Sequence, residues 1–406
     1  MYGRDVPDEY RETTPAESAA GTRRRYDLDW LRVLVILNLL PWHGAWLITF
    51  AAGFSHAPRE GLGVTVLRYY TGFSLRWQIP LLFFIAGASA CISLSHRSPG
   101  AFVRERARRL FVPLMFFMLV CYPVLLYFWP DVCDNKSLSD YIIRFWPHCL
   151  ATIHRSRMPG RIPMPGWAHL WFVGYLLIFS LISLPLFICL NRQGESGMVG
   201  KYVSFFTKRG TILLLAVPLI AINIILAPKW PMAQLNLYND WTYFCYDLTV
   251  FLYGYIICLH ERLWKAVDRH LRISLPLAII STVIVLVMRF EMPAFSRPSY
   301  TSRYMLYSVF LGLHTWCCVL AVLALARRFG VRTNRFLKYA GPASYPFYIL
   351  HFVLMLVIGY YVVQRRLGLT AEFAALSALT FAATLVSYEL VVKRTRVTRF
   401  LFGMKV

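Results

Sequence analysis

Apolar residues along this 406-residue chain come in blocks of about twenty, separated by short polar stretches rich in Arg and Lys. An α-helix rises about 1.5 Å per residue, so each block is long enough to cross the roughly 30 Å of hydrocarbon in a bilayer. Ten blocks stand out, at about 30–52, 76–95, 110–129, 170–190, 211–228, 242–260, 273–289, 305–326, 343–363 and 372–392. The apolar residues do not alternate with polar ones as in a transmembrane barrel. The predicted fold class is therefore all-α, a polytopic integral membrane protein of about ten helices. No internal repeat divides it, so one membrane domain, 30–392, is expected between a polar tail, 1–29, and a short tail, 393–406.

Composition agrees. Hydrophobic residues make up 58% of the chain and charged ones 16%, against roughly a quarter charged in soluble domains. The formal net charge of +23 would suggest nucleic acid in a soluble protein. Here the cations sit in loops between apolar blocks, where they set orientation, and the expected contacts are membrane lipids and not nucleic acid. With the N-terminus cytoplasmic, the cytoplasmic segments carry 28 Lys and Arg and the outer loops 14, Arg32 completing the 43. That bias predicts both termini in the cytoplasm. Arg23, Arg24 and Arg25 precede the first block, which reads as a retained anchor. The sizeable outer loop, 130–168, suits an acceptor-binding lid or a plain connection, and holds Cys133 and Cys149, a candidate disulfide.

Ionisable groups inside a span are costly, which makes each a functional candidate. Arg32 and His43 are eleven residues apart in the first block, close to three helical turns, so they share a face about 16 Å apart. That reach matches the pantetheine arm of coenzyme A, with a cation for donor phosphates at one end and an imidazole near the thioester at the other. A purely structural role for Arg32 is pairing with Asp29 at i−3. Arg104, Arg106, Arg108 and Arg109 precede the third block, with Arg106 and Arg109 one turn apart, as an anion site or a lipid-phosphate anchor. Arg76, His169 and Trp171 begin their blocks at the predicted outer surface and are candidates for an acceptor. His351, near Tyr348, lies at a depth similar to His43; Asp247, His314 and Glu389 are further polar candidates. No metal-ligand spacing, Gly-rich phosphate loop or nucleophile elbow is present, so no metal is expected.

Asp29-Trp30-Leu31-Arg32 followed by His43, then Phe83-Phe84-Ile85-Ala86-Gly87, then Arg106-x-x-Arg109 before Pro113, resembles the membrane acyltransferase-3 family, in the same order. The stretches His169–Phe172, Ser344–His351 and Tyr388–Phe402 extend the resemblance to members that modify glucans. It implies ten membrane helices in the cell inner membrane and transfer of an acyl group from acyl-CoA, succinyl-CoA or acetyl-CoA, to a periplasmic glucan or other saccharide. Arg32, Arg106 and Arg109 would then face the donor and His43 would be catalytic. Two positions depart from the pattern: Ala86 stands where Ser is frequent, and Phe352 where close relatives can carry a second His. A secondary transporter or flippase of an anionic solute, relaying protons through His43, His351 and Asp247, is the alternative.

Overall fold

No water in hydrocarbon satisfies a backbone N–H or C=O, so each apolar block has to close its hydrogen bonds internally, as a helix does. The computed structural model describes residues 25–50, 60–128, 137, 139, 141, 143, 167–193, 197–231, 237, 239–330 and 332–404. Among the described residues there is no strand. Eight helices are long and apolar enough to cross a bilayer, and the total reaches ten if each of two bent pairs is one span. Cys133, Cys149 and most of the outer loop fall outside the described residues.

The first three unbroken spans are α1 (Tyr26–Phe50), α2 (Leu62–Ser95) and α3 (Pro99–Tyr127). The pair α4 (Ala168–Ile182) and α5 (Leu184–Gln193) is bent by 50°, and the pair α6 (Val199–Phe206) and α7 (Thr211–Leu226) by 115°. Then come α8 (Trp241–Leu259), the short α9 (Glu261–Arg269), α10 (Leu271–Phe290), α11 (Ser302–Phe329), α12 (Arg335–Val363) and α13 (Leu369–Val392). The sharp turn between α6 and α7 passes through Gly210 at φ 86°, a left-handed conformation that only glycine adopts cheaply. Proline marks α3: Pro113 has no N–H for the carbonyl of Arg109, and the chain widens to a π-helical turn over Ala107–Phe111.

The apolar blocks do not mark where the helices begin. Helix α2 has 34 residues and starts at Leu62, fourteen positions before the block predicted from residue 76. Arg76 therefore stands at the edge of the apolar block and not in the first turn of its helix. It lies about 21 Å along the helix.

Two helices can approach closely only where side chains are small. Helices α2 and α8 do so at Gly87 and Gly254, where an added Cβ would run into the carbonyl of Phe251 or of Phe84. Helix α12 packs against α1, α13 and the end of α3. At the α1 start, Trp264 of α9 is held between guanidiniums, Arg25 at 4.2 Å and Arg327 at 4.9 Å from its ring centroids. This clamp ties the beginning of α1 to the end of α11, in the range of about 0.5–2 kcal/mol per cation–π contact.

Since backbone faces backbone at the glycine contact, relaxation there is limited. Gly254→Val is expected to destabilise the bundle by more than the about 1–3 kcal/mol typical of overpacking. Thermal unfolding in detergent, followed by the loss of the monodisperse peak on size exclusion, checks this; an unchanged midpoint would contradict the close approach.

Candidate active site

Three helices carry imidazoles to one point. His43 lies seventeen residues after the start of α1 and His351 sixteen after the start of α12, about 26 and 24 Å along each. The two helices pack side by side, so equal depth brings the rings together with centroids 5.0 Å apart. His169 stands in the 3-10 turn Ala168–Leu170 that opens α4, its ring 5.1 Å from His351 and 6.3 Å from His43. Ala168 takes φ 42°, a left-handed conformation that costs a non-glycine residue about 1–2 kcal/mol and turns the chain into that position.

The partners of each ring fix which nitrogen holds the proton, because a carbonyl can only accept. His43 Nδ1 is 2.9 Å from the Leu39 carbonyl and so carries hydrogen; Nε2 keeps the lone pair. His351 Nδ1 donates to the Phe347 carbonyl at 3.0 Å, which leaves its Nε2 an acceptor, 3.2 Å from His43 Nδ1. His169 Nε2 donates to the Tyr348 carbonyl at 2.9 Å, and the Tyr348 hydroxyl donates back to the His169 carbonyl. The lone pair on His169 Nδ1 has no partner among the described residues. His351 is fully buried and His169 nearly so, whereas His43 is partly exposed.

Aromatic rings wall the cluster. Phe352 lies 4.9 Å from His43 and 5.1 Å from His169, Phe117 is 5.2 Å from His169, and Trp42 stands edge-on to His43 at 4.8 Å. Phe352 is thus a wall of the imidazole cluster, a role that its place next to His351 did not reveal. Among the described residues, no group of His, Cys, Asp and Glu is arranged to hold a metal.

At the α1 start, Arg32 donates to Asp29 at 2.8 Å, the pairing that the i, i+3 spacing predicts. Glu105 takes Arg109 at 3.4 Å and also pairs with Arg97, while Arg106 lies over the Phe102 ring with its carbon at 4.8 Å. Arg106 Nε is buried without a hydrogen-bond partner among the described residues. Arg97, Arg106 and Arg109 interact electrostatically, and together they offer more positive charge than the single Glu105 balances.

The remaining candidates differ in their surroundings. His169 and Trp171, expected at the outer surface, are buried; Trp171 packs on Phe83, Tyr175 and Tyr243. Arg76 lines a small cavity of about 20 Å³ with Tyr243, Tyr246, Asp247 and Thr315, room for about one water. Both carboxylate oxygens of Asp247 are buried there without a hydrogen-bond partner among the described residues. Arg289 interacts electrostatically with Arg76, and both do so with Tyr307; only its place at the edge of an apolar block could have drawn attention to it. His314 bonds Thr282 at 3.0 Å, the structural role expected of a buried histidine. Glu389 is apart from the imidazoles. It sits where α13 ends, bonded to Tyr339 at 2.7 Å and to Lys393 at 3.1 Å.

A bundle of apolar helices with an imidazole cluster held inside it, and surplus guanidiniums at one end, defines an integral-membrane protein with a buried polar centre. The model of an acyltransferase domain matches residues 25–391, and the chain belongs to this acyltransferase-3 family. No curated protein and no solved structure matches it. The family match makes it a membrane acyltransferase, and the matched range contains the three histidines, Arg32, Arg106 and Arg109.

The lock between His169 and Tyr348 joins positions 179 residues apart. Tyr348→Phe removes the hydroxyl donor and is expected to cost about 1 kcal/mol of stability and to lower activity through displacement of His169. Thermal unfolding and turnover of the purified variant check both effects.

Proposed function

We propose that this acyltransferase moves an acyl group from cytoplasmic acyl-CoA to a hydroxyl of a saccharide on the far side of the membrane, with His43 as general base. The observation that carries the reading is the partly exposed His43 whose Nε2 lone pair is left available by the bonds at Nδ1. The spacing of about 16 Å from Arg32 suits the donor's arm. The surplus charge of Arg106 and Arg109 suits its phosphates, since guanidinium and phosphate pair bidentately.

In this mechanism the saccharide oxygen attacks the thioester carbonyl carbon as His43 Nε2 takes the hydroxyl proton. Collapse of the tetrahedral intermediate breaks the C–S bond, and the imidazolium returns the proton to the departing CoA sulfur. The products are an O-acyl ester and CoA with a free thiol. Protons and charge balance without a covalent intermediate on the protein. The aromatic walls keep water from competing for the thioester.

The acyl group is proposed to be succinyl and the acceptor a periplasmic glucan. The stretches His169–Phe172, Ser344–His351 and Tyr388–Phe402 resemble glucan biosynthesis protein C, the succinyltransferase of osmoregulated periplasmic glucans. A succinyl group carries a free carboxylate beyond its acyl carbonyl, which needs a cation in low dielectric. Arg76, with Arg289 beside it, is the cation proposed for that end. Trp171 bridges the two regions, being two residues from His169 and in ring contact with Tyr243. The empty space there is small, so side chains must yield for the carboxylate to enter.

Mass spectrometry of periplasmic glucans tests the reaction, with cells lacking the protein complemented by wild type or His43→Ala at matched membrane abundance. Succinyl additions restored only by wild type are expected; full restoration by His43→Ala contradicts the mechanism. With purified protein, Arg106→Ala is expected to raise KM for acyl-CoA by about tenfold or more, the loss of a charge-assisted hydrogen bond, with a smaller change in kcat. Arg76→Ala is expected to reduce the preference for succinyl-CoA over acetyl-CoA by about tenfold or more. An unchanged preference removes Arg76 from the acyl pocket.

A further inference from the structure

General-base histidines need a second group that holds the imidazole in one tautomer and orientation. Among the described residues, no carboxylate bonds the His43 ring. Its hydrogen bonds there are with the Leu39 carbonyl and with His351. The Leu39 carbonyl lies one turn back on the same helix and follows α1 wherever it goes. It cannot set the ring relative to a substrate held by other helices.

His351 can, because it belongs to α12. Its own Nδ1–H is committed to the Phe347 carbonyl, so its Nε2 is left as an acceptor, directed at His43 Nδ1. The His43 Nδ1–H is thus shared between Leu39 and His351, and the lone pair is confined to Nε2. The exposures differ in the way this division of labour requires: His351 has none of its surface accessible and His43 has some. His351 is therefore screened from substrate and acts through His43.

We infer that His351 is the positioning residue of the transfer reaction, a neutral imidazole in the place that a carboxylate takes in a Ser-His-Asp triad. This deepens the acyl-transfer reading of His43 and rests on it. The choice of imidazole has a physical reason. A carboxylate buried between helices in hydrocarbon would have to be desolvated and balanced, whereas a neutral ring costs far less to bury. When His43 takes a proton at Nε2, the neutral His351 nitrogen still accepts from Nδ1–H and stabilises the imidazolium through a charge-assisted hydrogen bond.

Three substitutions separate this role from packing. Gln places a carbonyl oxygen near the Nε2 position of the imidazole, whereas Asn reaches only the Nδ1 position, and Phe keeps the ring volume with no acceptor. Purified wild type and the variants are compared with succinyl-CoA and a β-linked glucan oligosaccharide as probes, and thermal unfolding is recorded for each. His351→Phe and His351→Asn are expected to lower kcat about 100-fold, within the range of general acid–base catalysis, with KM for both substrates within about twofold. His351→Gln is expected to recover at least a tenth of wild-type kcat. Full activity in His351→Phe overturns the inference while leaving His43 as base. Equal losses in all three variants, with KM rising and unfolding midpoints falling together, also overturn it and make His351 a packing residue. Absence of transfer by wild type itself removes the acyl-transfer reading on these probes, and the inference with it.

Discussion

An imidazole carried into hydrocarbon has to find every hydrogen-bond partner within the protein, and that constraint organises this structure. Each of the three central histidines spends one nitrogen on a main-chain carbonyl, at Leu39, Phe347 and Tyr348. Two of those carbonyls lie one turn back on the same helix, so α1 and α12 deliver rings of fixed tautomer without help from solvent. What remains is set by packing between helices. His351 meets His43 because α12 lies against α1, and His169 joins them because Tyr348 on α12 captures it. If the helices separate, the acceptor on His351 and the lone pair on His43 no longer face the same space.

The rest of the bundle serves this placement. Close contact at Gly87 and Gly254 fixes α8 against α2, and Trp42 reaches from α1 to the Thr71 carbonyl of α2 at 3.1 Å. The Trp264 clamp anchors the α1 start. Charge is kept at the ends and is costly in the middle. Arg32 and Asp29 pair near the start of α1, and Lys393 and Glu389 near the end of α13. The exceptions, Arg76 and Asp247, sit in a cavity crowded with tyrosine hydroxyls.

Much of this was legible in the sequence, for a physical reason. Apolar length and helical periodicity are local properties, so the ten blocks, the depth of His43 and His351 and the Asp29–Arg32 pair could be read without a fold. What the sequence hid was nonlocal or beyond the lipid. Helix α2 continues fourteen residues outside its apolar block, so hydropathy marks the block's edge at Arg76 but not the helix start. His169 looked peripheral because it begins an apolar block, but the turn at Ala168 and the grip of Tyr348 draw it inward. Glu389 was a polar candidate by its place in an apolar block; it faces Tyr339 and Lys393, as a surface carboxylate next to a helix end should. The bend at α4–α5 breaks the block at 170–190 that hydropathy reads as continuous, and α6 lies ahead of the block at 211–228.

The central claim is that a thioester on one side of the bilayer and a saccharide on the other meet at His43. Proteoliposomes test it most directly, with succinyl-CoA labelled in the succinyl group added outside and a β-linked glucan oligosaccharide trapped inside, in preparations sorted for one protein orientation. Label covalently attached to the trapped saccharide is expected, with one free CoA thiol released outside for each ester formed. Label entering the lumen unattached, with no CoA released outside, would contradict it and make the chain a carrier.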